Sequence, residues 1–232
     1  VLAGSYADMA GVALYEAADA SLTRWDYRGL LYQTPRSDAR LLECPNFVRI
    51  GDKWILLTSP FRPVEYVTGS FDVASLRFTP EQRGVLDPGA TDAPNYYATN
   101  ILFDAAGRSI LLGWVRGFPA GRAWNGCLAL PRILTIGDDG HPRQQPIPEL
   151  QQLRGRERPL APGVIRPGAP VMAHTPSDTF ELEAVIETGN AGAVTLRLGC
   201  AEDGGGGIAI RSDGQTLDVA DTVVSIPAGE EP

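Results

Sequence analysis

Glu43-Cys44-Pro45-Asn46-Phe47-Val48-Arg49-Ile50, then Gly51-Asp52-Lys53, then Trp54-Ile55-Leu56-Leu57 reads as two short apolar runs joined by a turn. The runs are too short for helices and rich in aromatic and β-branched residues, so the stretch predicts a β-hairpin. One acidic residue stands at its head. Glu43 lies between Leu41-Leu42 and Cys44, in apolar company that would penalise the charged form of a carboxyl group and raise its pKa. A carboxylic acid that keeps its proton near neutrality can hand it to a leaving oxygen. Glu43 is therefore a candidate general acid. The plainer alternative is a strand-end glutamate whose carboxylate faces water.

Outward from this hairpin the same pattern repeats. Val12 to Glu16, Trp25 to Tyr32 and Val64 to Phe71 read as strands. Ile101-Leu102-Phe103 and Ser109 to Val115 flank an Asp104-Ala105-Ala106-Gly107 turn, and Leu128 to Ile136 is a further strand ending at Asp138-Asp139-Gly140. Long amphipathic helices are absent from the pattern. Many short strands with turn signals between them imply an all-β sandwich, barrel or propeller. Their grouping into sets of about four, each with an aromatic residue, favours propeller blades.

Composition changes after Gln144. Gln144 to Pro170 is rich in Pro, Gln and Arg, with a helical turn expected at Glu149 to Leu153. Beyond it Phe180 to Ile186, Ala193 to Leu198, Gly207 to Arg211 and Thr216 to Val219 alternate with period two, as sandwich strands do. The glycines from Gly204 to Gly207 form a hairpin tip rather than a phosphate loop, since no helix and no Lys-Ser/Thr pair follows. The expected organisation is a partial β-propeller over residues 1–150, a linker over 151–170 and the start of a β-sandwich over 171–232.

The chain has 232 residues, 44% of them hydrophobic, and a formal net charge of -8. Spread acidity of this kind argues against nucleic acid and against an anionic membrane surface, which both call for a basic stripe. No apolar run approaches the roughly 20 residues of a membrane span. Cys44, Cys127 and Cys200 are odd in number and widely spaced, so they suggest neither a disulfide framework nor a zinc site. His141 and His174 cannot build a metal site alone. No cofactor and no metal are expected. The sequence opens on Val1-Leu2-Ala3-Gly4-Ser5 and stops at Pro232 after an alternating stretch, and both ends read as cut.

Several segments resemble glycoside hydrolase family 32, the invertases, levanases and inulinases. Glu43-Cys44-Pro45 is similar to the family's Glu-Cys-Pro motif, and Gly51 to Leu57 to the strand pair that follows it. Phe78-Thr79-Pro80-Glu81 with Gly84 to Gly89 resembles its aspartate-glycine loop, and Asn95-Tyr96-Tyr97-Ala98 its Phe-Tyr-Ala segment. Arg108 to Val115 resembles a strand ending in Gly-Trp-Met, and Trp124 to Arg132 a Trp-Asn-Gly-Cys-Leu-Ser-Leu-Pro-Arg stretch. Gln144-Gln145-Pro146 with Pro148-Glu149-Leu150 resembles the exit from the catalytic domain. The segments follow the family's order along nearly the whole chain.

The resemblance implies part of a five-bladed β-propeller followed by part of a β-sandwich, with a carbohydrate site in the central funnel. It implies a retaining hydrolase acting on β-fructofuranosidic bonds of sucrose or fructans, with Glu43 as acid/base. Retention places two carboxyl groups about 5–5.5 Å apart. The second, an Asp in a Trp-Met-Asn-Asp-Pro-Asn-Gly motif, is not encoded here, nor is the Arg-Asp-Pro motif that grips fructose. Phe61-Arg62-Pro63 lacks the Asp and lies after Glu43. The chain is therefore expected to start within the third blade, and an N-terminal part of the propeller is an expected partner.

The resemblance makes Asp87, Tyr97 and Trp114 substrate-binding candidates. Asp87 would accept sugar hydroxyls, though an aspartate in a Pro-Gly loop is common for turn reasons alone, and Asp92 competes for the same place. Trp114 and Tyr97 would wall the pocket, against the alternative of plain core packing. Cys44 is expected as a small buried filler. Asn46 stands where the family commonly has an Asp and is a weaker substrate contact. Fructosyl transfer, a related propeller glycosidase acting on arabinose or xylose polymers, and a non-catalytic carbohydrate-binding module are the competing readings. Secreted and cytoplasmic locations both stay open.

Overall fold

The computed structural model of the protein describes residues 1–6, 8–89, 95–160, 163–174, 177, 179–201, 203–220 and 222–226. It divides into two units, Val1–Ile147 and Pro148–Pro232. Among the described residues the regular structure is almost all strand, and no helix is long and apolar enough to cross a membrane.

The first unit holds three antiparallel sheets in succession. The first runs β1 (Leu2–Tyr6), β2 (Met9–Ala17), β3 (Trp25–Pro35). The second is a four-stranded meander of β4 (Glu43–Ile50), β5 (Lys53–Ser59), β6 (Glu65–Asp72) and β7 (Arg77–Val85). In the third, β9 (Ser109–Arg116) lies between β8 (Asn95–Phe103) on one side and β10 (Cys127–Leu128) and β11 (Arg132–Ile136) on the other. β12 (Pro142–Pro146) completes it beside β11.

β5 shows why these sheets stack. Its Ile55-Leu56-Leu57 run is buried at every position, the mark of a strand covered on both faces. Leu56 enters one core with Val12, Leu31, Leu42 and Phe78, between the first two sheets. Ile55 and Leu57 enter another with Val64, Tyr66, Tyr96, Leu111 and Leu134, between the second and third. Since successive strand residues point to opposite faces, one apolar run joins three sheets. Each of these side chains contributes about 1.5–3 kcal/mol on burial, and Leu57→Ala would cost about 2–5 kcal/mol. Phe47, Trp54, Phe71 and Phe78 close one end of the first core, with Phe47 stacked on Trp54 at 4.7 Å.

Four expectations change. Phe78 to Gly84, read as loop, forms most of β7, an outermost strand where Pro80 loses nothing by lacking an N–H. Leu128 to Ile136 is not one strand: it breaks after β10, where Pro131 cannot donate to a ladder, and resumes as β11. The Pro- and Gln-rich stretch starting at Gln144 opens inside β12, and a 3-10 helix follows at Pro148–Leu153, where a helical turn was expected. Phe180 to Ile186 forms no strand, because its backbone finds no partner strand among the described residues; Val185 is 93% exposed.

In the second unit β13 (Val194–Leu198), β14 (Ile208–Ser212), β15 (Thr216–Val219) and β16 (Thr222–Ser225) form one antiparallel meander. The Gly204 to Gly207 run lies in the connection between β13 and β14, as a hairpin tip should.

Candidate active site

Glu43 opens β4 directly after Leu42, which is 2% exposed and anchors the strand end in the first core. The ladder with β5 pairs Glu43 with Ser59 and resumes at Asn46 with Leu57. Cys44 and Pro45 together oppose one residue of β5, a β-bulge. Cys44 takes φ 47°, a left-handed value. Pro45 has no N–H to leave unpaired there. Cys44 is exposed, not the buried filler expected, because the bulge lifts it out of the strand's alternation. Partial desolvation and then the neighbouring Glu43 push its thiol pKa up, away from a nucleophilic thiolate.

β8 carries a matching bulge. Tyr97 pairs with Trp114 and the register resumes at Asn100 with Leu112, with Ala98 at φ 46°. The two bulged strands belong to different sheets and are tied by side chains. Asn46 Nδ2 donates to Thr99 O at 2.7 Å and to Cys44 O at 2.9 Å, while its Oδ1 accepts from Ile101 N at 3.1 Å. Ser59, 0% exposed, accepts the Ala98 N–H on its hydroxyl at 3.1 Å.

These ties bring Tyr97 against Glu43. The Tyr97 hydroxyl lies 2.9 Å from Glu43 Oε2 and 2.7 Å from Ser59 O, and it accepts the Phe61 N–H at 2.9 Å. One phenolic proton thus faces two acceptors. Phe61 itself sits at φ 65°, so three of the left-handed non-glycine residues border this one hydroxyl. Such backbone costs about 1–3 kcal/mol per residue and gathers where function over-determines geometry. Burial, offset in part by the Phe61 N–H and reinforced by Glu43, raises the Tyr97 pKa to about 12, so the phenol remains a donor. The Arg116 guanidinium stacks over the Tyr97 ring 3.8 Å from its centre and donates from Nε to Asn95 Oδ1 at 3.2 Å.

Trp114 is the cross-strand partner of Tyr97 and shares its face of the sheet. Its indole N–H donates to Asn125 O at 3.0 Å. Gly126, φ 102°, lets that loop close on the indole edge; a Cβ there would lie 2.0 Å from Nε1. Asp87 belongs to another cluster. Its Oδ2 pairs with Arg132, which also bonds Gln144 Oε1 at 2.9 Å and stacks over Tyr96 at 4.4 Å. Gln144 in turn donates to Leu86 O at 2.8 Å. Asp92 lies outside the described residues. Of the four expected site residues, Tyr97 bonds Glu43 and pairs across the ladder with Trp114, while Asp87 pairs with Arg132.

Sequence reading missed Asn46 as a staple, Ser59 as a double partner and Arg116 as a ring cover. Only Asn46 left a signal, a polar residue inside an apolar strand start. Among the described residues no group of three His, Cys, Asp or Glu could hold a metal ion. The arrangement suits proton transfer: a half-buried carboxyl group held by a phenol, beside an indole and a guanidinium.

Residues 1–146 match the Glycosyl hydrolases family 32 N-terminal domain. The chain is 32% identical over 167 residues to a sucrose-6-phosphate hydrolase of Vibrio alginolyticus, covering 63% of this chain and 33% of that protein. It is 27% identical over 172 residues to a raffinose invertase of Escherichia coli, covering 67% and 35%. The chain thus spans about a third of the length of these relatives. The fold resembles a Bombyx mori GH32 β-fructofuranosidase variant in complex with sucrose, with TM-score 0.69 and 20% identity over 98% of this chain and 51% of the other. It also resembles a sucrose-6-phosphate hydrolase of Lactobacillus gasseri, with TM-score 0.67 and 21% identity over 96% and 50%. That likeness identifies the three-sheet unit as part of a five-bladed β-propeller, whose ring these sheets do not close, and the second unit as part of a β-sandwich.

Proposed function

Because the chain belongs to glycosyl hydrolase family 32, we propose that the whole protein cleaves β-fructofuranosidic bonds, with Glu43 as its acid/base. The observation that carries this is the Tyr97 hydroxyl 2.9 Å from Glu43 Oε2. The named activities of the relatives, sucrose-6-phosphate hydrolase and invertase, point to the same bond.

In the first step the bond from the fructosyl anomeric carbon to the bridging oxygen breaks. Glu43 gives its proton to that oxygen, and an aspartate from the rest of the propeller bonds to the carbon. In the second step the Glu43 carboxylate takes a proton from water, whose oxygen displaces the aspartate with net retention. A carboxyl group in both roles must change protonation without losing its place. Tyr97 serves that need: its proton turns to Glu43 when the carboxylate is charged. When Glu43 is protonated the phenol keeps Oε2 as its partner, so the acid proton sits on Oε1, free to reach the leaving oxygen.

Trp114 offers its indole to the C–H face of the sugar. Asp87 is held through Oδ2 by Arg132, which leaves Oδ1 without a protein partner among the described residues and open to a sugar hydroxyl. The domain reading follows: residues 1–150 belong to the catalytic propeller, 151–170 link, and 171–232 begin the sandwich.

The test is Glu43→Gln in the whole protein. Turnover of sucrose, whose leaving group needs a proton, should fall by about 10²–10⁴. On a 4-nitrophenyl fructoside, whose leaving group does not, kcat/KM should be spared, while kcat falls because the second step still lacks its base. Sucrose turnover at the wild-type rate would reject the assignment. Fructose release from sucrose, sucrose 6-phosphate, inulin and levan in parallel then identifies the substrate.

A further inference from the structure

We propose that Asn46 is a positioning residue for the acid/base, holding Glu43 at the angle its proton transfer needs; this rests on the reading of Glu43 given above. β4 and β8 lie in different sheets and share no backbone ladder. Nothing in their secondary structure therefore fixes how far one slides along the other, and the gap between Glu43 and Tyr97 depends on that slide. One amide spans it. Asn46 Nδ2 holds the carbonyls of Cys44 and Thr99, and Oδ1 holds the Ile101 N–H. Cys44 is the left-handed residue directly after Glu43, while Thr99 and Ile101 follow Ala98, the left-handed residue directly after Tyr97. The staple thus grips both bulges at the residues that aim the two functional side chains.

The orientation of the amide follows from its partners. Turned over, it would set its oxygen against two carbonyls and its NH2 against an N–H. For the same reason an Asp, which the family commonly carries here, would not make the same three bonds in this chain. A carboxylate keeps the acceptor for Ile101 but offers no hydrogen to Cys44 O or Thr99 O. Leu fills the space and makes none of the three bonds. The hydrogen bonds of Asn46 go to Cys44, Thr99 and Ile101 rather than to Glu43, so its effect passes through the backbone of the bulge.

Substrates with different leaving groups separate this role from plain stability. A displaced acid fails a leaving group that needs the proton and spares one that does not, whereas partial unfolding lowers both alike. In the whole protein Asn46→Leu should lose about 10²-fold in kcat/KM on sucrose, the order expected for a misplacement near 1 Å. On the 4-nitrophenyl fructoside it should stay within about threefold of wild type, since that leaving group draws little on a general acid. Asn46→Asp, nearly the same shape, should fall between wild type and Leu with the same split. It also carries the test alone if the Leu protein does not fold. Equal losses on both substrates, or no loss, would overturn the proposal while leaving Glu43 in place. If Glu43→Gln itself shows no split between the substrates, the underlying reading fails instead.

Discussion

Tyr96 and Tyr97 are consecutive on β8, and each carries a guanidinium over its ring and a carboxylate nearby. The chemistry of the two clusters diverges on one point. Arg132 covers Tyr96 and also pairs with Asp87 through Oδ2, while the Tyr96 hydroxyl, 4% exposed, has no hydrogen-bond partner among the described residues. Arg116 covers Tyr97 but makes no ion pair with a carboxylate among the described residues. There the hydroxyl, not the guanidinium, holds Glu43. An arginine holds a carboxylate by charge and fixes its orientation. One held by a phenol has a neutral partner that can both donate and accept. The neighbouring tyrosines thus belong to two side-chain clusters, to which the proposed function gives binding and proton transfer.

The hardest test of that division exchanges each carboxylate for its amide. Glu43→Gln should cost about 10²–10⁴ in turnover of sucrose. Asp87→Asn should weaken KM and kcat/KM on every fructoside by a similar factor, worth about 1–3 kcal/mol, with no dependence on leaving group. Steady-state kinetics on the two substrate types reads both. A leaving-group split at Asp87 and none at Glu43 would reverse the roles of the clusters.

Removing each hydroxyl sharpens the contrast further. Tyr97→Phe strips partners from Glu43, from buried Ser59 and from the strained Phe61 N–H, and should destabilise the fold by about 1–3 kcal/mol. Tyr96→Phe removes a buried hydroxyl with no partner among the described residues and should leave stability unchanged or raised by about 1 kcal/mol. Chemical denaturation of the two variants decides it. Similar losses at both would show that the Tyr96 hydroxyl has a partner after all.

How far this was legible in the chain differs between fold and site. The apolar turn-linked runs around Gly51 told of the hairpin, because an unbroken Ile55-Leu56-Leu57 can bury both faces only inside stacked sheets. β7 was missed because Pro80 and Gly84 read as loop residues, and only sheet position makes a proline harmless. Phe180 to Ile186 was over-read, since period-two alternation describes a strand only where another strand accepts its hydrogen bonds. At the site, Glu43 stood out by its apolar neighbours and its Glu-Cys-Pro context. Asn46 could not, because its partner Thr99 is 53 residues away, and the Tyr97 bond to Glu43 spans 54. A local pattern singles out the candidate carboxyl group; the residues that hold it come from contacts between sheets.

The smallest effect concerns the phenols' own titration. Burial, the leading cause at both positions, raises each pKa from 10.0 to about 12. At Tyr96 the Arg132 charge works against that rise and Asp87 with it; at Tyr97 the Phe61 N–H works against it and Glu43 with it. A phenol whose pKa is higher folded than unfolded binds its proton more tightly in the native state. Its contribution is then complete below about pH 10 and is lost as pH climbs through about 12. Wild-type stability should therefore decline across that window. Tyr96→Phe has one titrating group fewer and no bond to lose, so its decline should be shallower, with the two curves meeting towards neutrality apart from any gain from the missing hydroxyl. Tyr97→Phe should also decline less steeply, but from a lower starting stability, because its hydroxyl was bonded. Denaturation midpoints between pH 8 and 12, in steps of about half a unit, would show this as two shallow curves at different heights. Curves of equal slope for all three proteins would mean that neither phenol is held protonated by its surroundings, and that the two clusters differ only in their arginines.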